Sequence, residues 1–123
     1  MGTYVTNKTN QSLDVWQSVK IDIENKILSG YYMAGTRMPS VRRITEEYNI
    51  GQATAQRVLS MLSQEGIIES KRGVGYFVNP YIKERLITKR KWELEKKIKE
   101  CVEDAEIIGV DILPMIKRLV EKG

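Results

Sequence analysis

The segment Ser70–Val78 places two cations beside two glycines that are one residue apart. Lys71 and Arg72 come directly before Gly73 and Gly75, and an aromatic and apolar run follows. The backbone N–H groups of a glycine loop can hold a phosphate, whereas cations at the tip of a β-hairpin can contact a polyanion. A nucleotide-binding loop needs a strand before its glycines and a helix after them. Because the residues after Gly75 are typical of a strand, the segment is interpreted as a hairpin.

Small and polar residues at the start of a predicted helix form a second group. They follow the turn Asn49-Ile50-Gly51 and comprise Gln52, Ala53, Thr54, Gln56 and Arg57. Glutamine can pair with N6 and N7 of adenine, and the methyl groups of alanine and threonine can contact the thymine methyl. Short side chains also let a helix approach the base edges in the major groove. The group therefore predicts a DNA recognition helix.

Cations near two chain breaks supply candidate phosphate contacts. Arg42 and Arg43 follow Ser40, whose hydroxyl is expected to cap a helix by accepting from the Arg43 N–H. Ser40 is also predicted to contact DNA, because it lies at the same helix start. Together with Lys71 and Arg72, the two arginines are predicted to contact DNA phosphates.

The four cations and the nearby acidic residues both bear on this interpretation. Taken one at a time, each of the four cations is more often a solvated surface charge than a ligand for phosphate. Placement of the two helix starts and the hairpin tip on one face would favour DNA binding. We expect three acidic side chains to fall away from the base-reading positions: Glu46, Glu47 and Glu65.

Composition argues against a catalytic or metal-binding protein. The 123 residues contain no His and a single cysteine, Cys101. Histidine is the commonest general base near neutral pH and a frequent metal ligand, and a lone cysteine cannot form a disulfide within the chain. We find no convergent set of nucleophile, acid and base. The sequence therefore predicts a protein that is not an enzyme and uses no metal or other cofactor.

Charge and hydropathy agree with a DNA-binding protein of the cytoplasm. The net charge of +4 is suited to a polyanionic partner without requiring one. The sequence shows no apolar run long enough to span a membrane and no secretory signal at its start. We therefore expect a cytoplasmic protein without a membrane partner.

Apolar periodicity predicts three helices in the first half of the chain. The first runs from Leu13 to Leu28 and stops at Ser29-Gly30. The second covers Val41 to Tyr48, and the third opens at Gly51 or Gln52 and ends at Glu65-Gly66. Spacings of i, i+3, i+4 and i+7 in the third helix predict a buried stripe: Ala55, Val58, Leu59 and Leu62.

The period then changes from 3.6 toward 2. The stretches IIESK and GYFVN are predicted strands that are joined through Arg72, Gly73 and Val74. A short extended piece from Thr36 to Met38 is free to join them as a third strand. Two helices connected by a tight turn and followed by a hairpin constitute a winged helix-turn-helix.

Beyond Pro80 the chain is dense in Lys, Arg and Glu and predicts a long helix that ends at Gly109. Its apolar residues recur mostly at spacings of four and three, which is typical of a helix that packs on a partner. Asp111 is the expected N-cap of a last helix, in whose first turn Pro114 is tolerated. These helices are predicted to pair two copies of the chain through Ile87, Leu94, Ile98, Cys101, Ala105, Ile108, Met115, Ile116 and Leu119.

Two further aromatic residues, Trp92 and Tyr81, are candidates for the dimer core or for a small-molecule crevice. Packing is favoured, because neither a His nor an acid pair accompanies them and no segment is large enough for an effector domain. A small-molecule effector is therefore left open but is not indicated.

Together these elements predict a mainly α fold with a small β-hairpin wing. Residues 1–80 are expected to form a winged helix-turn-helix DNA-binding domain, and residues 81–123 a C-terminal helical dimerisation segment. A winged helix can also serve as a protein-binding adaptor that does not bind DNA. This alternative stays open, and salt-sensitive binding to a duplex would separate the two functions.

The segment ILSGYYMAGTRMPSVRRITEEYNIGQATAQRVLSMLSQEGIIESKRGVGYFV resembles the winged-helix domain of the GntR bacterial transcription regulators. The motifs that carry the resemblance are I-x-x-G, G-x-x-L-P-S-x-R and a final G-x-G-x-F-V. The resemblance covers about residues 13–78. The short two-helix tail is similar to that of the YtrA subfamily, which lacks a large effector-binding domain and pairs through its C-terminal helices.

The resemblance implies a transcription regulator, expected to be a repressor, that binds a roughly palindromic operator as a homodimer. It implies that Arg42 contacts DNA and that Arg72 with Gly73 forms a wing tip at the minor groove. It also implies base-reading positions at Gln52, Ala53, Thr54 and Gln56. Relatives often carry arginine where this chain has Gln52 and Gln56. Because arginine is the usual partner of guanine, we expect an operator richer in A·T at those steps.

Overall fold

The computed structural model describes residues 14–122. The elements in chain order are α1 (Val15–Leu28), α2 (Val41–Tyr48), α3 (Gln52–Gln64), β1 (Ile68–Lys71), β2 (Gly75–Val78), α4 (Ile82–Ile108) and α5 (Ile112–Lys122). This order confirms the predicted mainly α fold with a hairpin wing. The chain divides into two units after Leu86. The predicted start of the first helix at Leu13 lies outside the described residues.

Local signals set both ends of α1, and the C-terminal end is the one that the sequence predicts. The N-cap is Asp14, whose backbone N–H donates to Oε1 of Gln17 at 2.8 Å. The helix ends before Gly30, which has φ +86°. Glycine has no Cβ to oppose this left-handed conformation, and the chain can therefore turn away from the helix axis.

The core of the first unit lies between the three helices and the hairpin. The predicted stripe of α3, Ala55, Val58, Leu59 and Leu62, is completely buried. It packs in one cluster with residues from the other elements: Val19, Ile23, Ile27, Ile44, Ile68, Val78, Ile82 and Leu86. Burial of one large aliphatic side chain is worth about 1.5–3 kcal/mol relative to exposure. This cluster therefore holds the helices and the hairpin in place.

A tight turn connects α2 to α3. Asn49 adopts the left-handed conformation with φ 52°, and the N–H of Ile50 donates to the carbonyl of Thr45 at 3.1 Å. Asparagine tolerates this conformation better than most residues. Gly51 is the N-cap of α3. The turn therefore has the position and the residues that the sequence predicts.

The segment before α2 joins the two-stranded hairpin through an isolated bridge. β1 pairs antiparallel with β2, from Ile68 opposite Val78 to Lys71 opposite Gly75. Arg37 forms a bridge with Phe77 on the other edge of β2. Two backbone hydrogen bonds of 2.8 Å hold this segment, from Met38 N–H to Tyr76 and from Val78 N–H to Thr36. The predicted extended piece thus joins the sheet.

A polar cluster ties α1 to α2. The hydroxyl of Tyr48 donates to Oδ2 of Asp22 at 2.6 Å and accepts from Nζ of Lys26 at 2.9 Å. Burial raises the pKa of Tyr48, and the hydrogen bond to Asp22 raises that pKa further. Nζ of Lys26 also lies 4.7 Å from the centre of the Tyr48 ring. These contacts fix the angle between α1 and α2.

The second unit contains most of α4 and all of α5. Gly109, with φ +73°, ends α4, and the N–H of Leu113 donates to Oδ1 of Asp111 at 3.1 Å, as expected of the predicted cap. Among the predicted dimer residues Ala105 is buried within its own chain, with 8% of its surface exposed. The other eight are exposed: Ile87, Leu94, Ile98, Cys101, Ile108, Met115, Ile116 and Leu119. Trp92 and Tyr81 are also exposed.

Candidate nucleic-acid interface

The beginnings of α2 and α3 line one surface cleft. Its walls are formed by Ser40, Val41, Arg42, Thr45, Ile50 and Gln52. The left-handed Asn49 redirects the chain after α2, so that α3 begins beside the first turns of α2. The fold therefore brings Ser40, Arg42 and Gln52 together, which are three of the predicted site residues.

Thr45 lines the cleft although the sequence did not single it out. Its hydroxyl donates to the carbonyl of Arg42 at 2.6 Å, and the side chain is half-buried. The available signal is its spacing, because residue i+3 lies on the same helix face as Arg42.

Ser40 caps α2 as predicted. Its Oγ accepts from the N–H of Arg43 at 3.2 Å, and its φ and ψ are extended. The cap fixes where the helix begins, and therefore where Arg42 and Arg43 leave the backbone. Both arginines are exposed.

Glu46 lies beside a predicted phosphate contact. Oε2 of Glu46 lies 3.4 Å from Nε of Arg42, so this carboxylate is next to a predicted DNA-binding residue. Residues four apart on a helix share a face, which explains the contact. Both side chains are largely exposed, and such pairs are worth about 0–1 kcal/mol. A phosphate can therefore replace Glu46 as the partner of Arg42 at small cost.

The other two acidic residues have partners elsewhere. The hydroxyl of Tyr32 donates to Oε1 of Glu47 at 3.4 Å, and Oε2 of Glu65 lies 3.0 Å from Nζ of Lys20. Burial disfavours the charged form of Lys20, but its hydrogen bonds to Glu24 and Glu65 outweigh that effect and raise its pKa. These contacts agree with the expectation that Glu47 and Glu65 fall away from the base-reading positions.

The predicted recognition residues of α3 are on the solvent side. Gln52, Ala53, Gln56 and Arg57 are exposed, and Thr54 is half-buried. Arg57 has a neighbour that the sequence did not reveal, because its guanidinium carbon lies 4.3 Å from the centre of the Trp16 ring. The Trp16 contact gives the Arg57 side chain a defined orientation.

The wing tip presents Lys71, Arg72 and Gly73 to solvent. The tip is closed by the N–H of Val74, which donates to the carbonyl of Lys71 at 2.9 Å. Gly73 has φ +76°, a conformation that the tight turn requires and that glycine adopts without strain. None of these residues lines the cleft between α2 and α3.

Several of these cations are available to an external anion. Within residues 14–122, no salt bridge involves Arg43, Lys71 or Arg72. The ammonium of Lys71 lies 4.4 Å from the centre of the Phe77 ring, which orients it without neutralising its charge. The described part of the chain therefore offers unpaired cations at α2 and at the wing tip.

The described residues provide no metal centre of the usual kind. Between residues 14 and 122, no group of three or more His, Cys, Asp or Glu side chains is arranged to hold an ion. No helix in the same range is both long enough and apolar enough to cross a membrane.

Comparison with known proteins identifies the class of the chain. The model for bacterial regulatory proteins of the gntR family matches residues 16–78. The HTH-type transcriptional repressor YtrA of Bacillus subtilis (strain 168) is 25% identical over 101 residues, which cover 82% of this chain and 78% of YtrA. This similarity confirms the expected resemblance to YtrA.

Solved structures share the fold. A GntR family transcriptional regulator from Listeria monocytogenes superposes with a TM-score of 0.72 at 24% identity, covering 91% of this chain and 96% of that one. The DNA-binding domain of AraR in complex with operator ORX1 superposes with a TM-score of 0.53 at 20% identity, covering 62% and 92%. At these identities the structures show a common winged-helix architecture.

The family match covers the helix-turn-helix and the wing, where the candidate DNA contacts lie. It favours DNA binding over the protein-only adaptor, and it makes the chain a regulator of transcription, not an enzyme. The chain belongs to the GntR family of bacterial regulatory proteins.

Proposed function

We propose that the protein is a repressor that binds a roughly palindromic operator as a homodimer and blocks a promoter by occupying it. The observation that carries the proposal is the cleft shared by Arg42 and Gln52, which pairs a cation with a base-reading side chain. The similarity to YtrA, which is named a repressor, supports the sign of regulation. The AraR domain with its operator supports a DNA operator as the ligand of this fold.

Base reading is assigned to the exposed start of α3. In this proposal Gln52 and Gln56 pair with adenine, and Ala53 and Thr54 contact thymine methyl groups. Each good contact is worth about 1–3 kcal/mol of discrimination between bases. The operator is therefore expected to be A·T-rich at the steps that these residues read.

Phosphate contacts are assigned to the cations around α3. Arg42 and Arg43 contact phosphates from the start of α2, where Ser40 fixes the first turn. Lys71 and Arg72 contact phosphates from the wing, whose tip at Gly73 approaches the minor groove. Arg57 is assigned to a phosphate beside the recognition helix. These contacts position the protein on DNA and make its affinity fall with salt concentration.

Dimerisation is assigned to the helical tail, residues 81–123, and DNA binding to residues 1–80. The eight exposed members of the predicted set support this assignment, because an apolar helix face gains by packing on a second copy.

Residues 82–99 contain eight cations and three acids, whereas residues 100–123 contain three cations and six acids. This asymmetry suits antiparallel pairing across a two-fold axis. Such an axis sets equivalent recognition helices about 10 base pairs apart, or a multiple of that distance.

Binding and assembly can be tested together. Fluorescence polarisation with random and genomic duplexes, across a series of salt concentrations, should show binding that weakens steeply with salt. Footprinting of the duplexes that bind should show two protected half-sites related by a two-fold axis. In transcription reactions on a template that carries the protected site, added protein should lower transcript yield. Salt-insensitive binding, a single half-site, or increased transcription would each contradict the corresponding part of the proposal.

The dimer has its own variant and control. Ile98→Glu places a charge in the predicted face of α4, whereas Ile107→Glu makes the same change at an exposed position of α4 outside the predicted set. We expect sedimentation velocity to show a dimer for the parent chain and for Ile107→Glu, and a monomer for Ile98→Glu. A dimer that survives Ile98→Glu would contradict the assignment of the interface.

A further inference from the structure

The outer face of the wing carries an arginine that the sequence patterns did not single out. Arg37 pairs with Phe77, and Phe77 in turn pairs with Glu69 across the hairpin. Directly paired residues in a sheet point to the same face. The Lys71 ammonium lies 4.4 Å from the Phe77 ring centre and is therefore on this face too. Arg37 and Lys71 thus flank Phe77 on the solvent side of the sheet.

The side chain of Arg37 is held against the end of β2. A Cβ built on Gly75 would lie 3.4 Å from Nε and 3.5 Å from Nη2 of Arg37. The guanidinium therefore lies close to the backbone of Gly75. Gly75 also has φ +134°, which residues with a Cβ rarely adopt. This backbone conformation favours glycine at position 75.

The charge of Arg37 is not neutralised within the described chain. No salt bridge in residues 14–122 includes Arg37, which is exposed. Glu69 is on the same face but two strand spacings away, at a backbone distance of about 10 Å. The guanidinium therefore keeps its donors for a ligand outside the chain.

Arg37 also lies between the two places where DNA contacts are assigned. Its guanidinium reaches Gly75, two residues from the wing tip at Gly73. Its backbone is three residues before Ser40, a distance of at most about 11 Å along an extended chain. The backbone hydrogen bond from Met38 to Tyr76 fixes this connection to the sheet. A phosphate backbone that contacts both the wing tip and the start of α2 would run past Arg37.

We propose that Arg37 is a DNA-binding residue that contacts a backbone phosphate between the wing tip and α2. The inference rests on the proposed DNA-binding function of this face. It extends the interface from the hairpin tip to the outer face of the hairpin and the segment bridged to it.

The test measures binding of the full chain to a fluorescein-labelled mixed-sequence duplex across a series of salt concentrations. Arg37→Ala should weaken binding several-fold and lower the slope of log K against log salt by about 0.9 per monomer. Arg37→Lys keeps the charge and should keep most of the slope. Lys122→Ala removes an equal charge from the end of α5 and should change neither quantity.

Arg72→Ala separates this inference from the proposed function. If Arg72→Ala lowers the slope and Arg37→Ala does not, Arg37 is not a phosphate contact although the wing binds DNA. If the parent chain itself shows no salt-dependent binding, the proposed function fails and the inference fails with it. Circular dichroism of Arg37→Ala should match the parent chain, because the side chain is exposed. A loss of helix signal would show a structural role and would overturn the assignment.

Discussion

The guanidinium carbon of Arg57 lies 4.3 Å from the centre of the Trp16 ring. This contact joins α1 to the solvent side of α3, at the edge of the core against which Trp16 packs. An arginine stacked on a ring keeps the N–H donors at the edge of its guanidinium available. Trp16 therefore restrains Arg57 while leaving it able to bind a phosphate.

Removal of this contact should lower stability by a small, measurable amount. Arg57→Ala is expected to reduce the free energy of unfolding by about 0.5–1 kcal/mol, because an exposed cation–π pair is worth that much. Urea denaturation followed by circular dichroism measures the change. The control is Gln64→Ala, which truncates an exposed side chain of the same helix. Equal stability of the two variants would show that the contact contributes nothing.

The stripe of α3 should be the most sensitive part of the fold. Leu59 is completely buried, so Leu59→Ala leaves a cavity and is expected to cost about 2–5 kcal/mol. Ser60→Ala, at the exposed neighbouring position, should change stability by no more than about 0.5 kcal/mol. Thermal or urea unfolding distinguishes these values. A loss below 1 kcal/mol for Leu59→Ala would contradict the position of α3 in the core.

The turn before α3 should depend on a residue that tolerates positive φ. Asn49 has φ 52°, and a β-branched side chain there is strained by about 1–2 kcal/mol. Asn49→Val should therefore lower stability by that amount, whereas Asn49→Gly should change it little. Asn25→Val, at an exposed position within α1, is the control because the two residues have similar helix propensities. Tolerance of valine at position 49 would argue against the helix-turn-helix geometry.

Alkaline pH should destabilise the protein through Tyr48. Burial and the hydrogen bond to Asp22 raise the pKa of this phenol in the folded state, whereas unfolded tyrosine titrates near pH 10. The contribution of Tyr48 is therefore complete below about pH 10 and is lost as the pH rises above that value. The urea midpoint should fall from about pH 9 to about pH 11. It should fall less in Tyr48→Phe, because phenylalanine has no phenol to titrate.

Tyr31→Phe, at an exposed position, should behave as the parent chain. Identical pH profiles for Tyr48→Phe and the parent would contradict this role.

Features that depend on local sequence were predicted correctly. The cap at Ser40, the turn at Asn49 and the stripe of α3 each follow from neighbouring residues or from a fixed helical spacing. The strands followed from the change of period and from the glycines between them. Local backbone preference and periodicity decide these features, and both are present in the sequence.

Contacts between distant segments were not predicted. The stack of Arg57 on Trp16, the bond from Tyr48 to Asp22, and the placement of Arg37 over Gly75 all require the packed arrangement of separate elements. Glu46 is different, because its spacing from Arg42 on α2 was visible in the sequence. Residues four apart on a helix are neighbours, so this spacing is enough to predict the contact.

The most direct test of the proposed interface is an amide-resolved NMR titration of the full chain with a mixed-sequence duplex at low salt. We expect the largest shift changes in three segments: residues 40–43, 52–57 and 71–73. Changes in all three, with smaller changes in α5, would support one DNA-binding surface made from both helix starts and the wing. If DNA shifted only one of these segments, or mainly α5, the helix starts and the wing tip would not form a common DNA-binding surface.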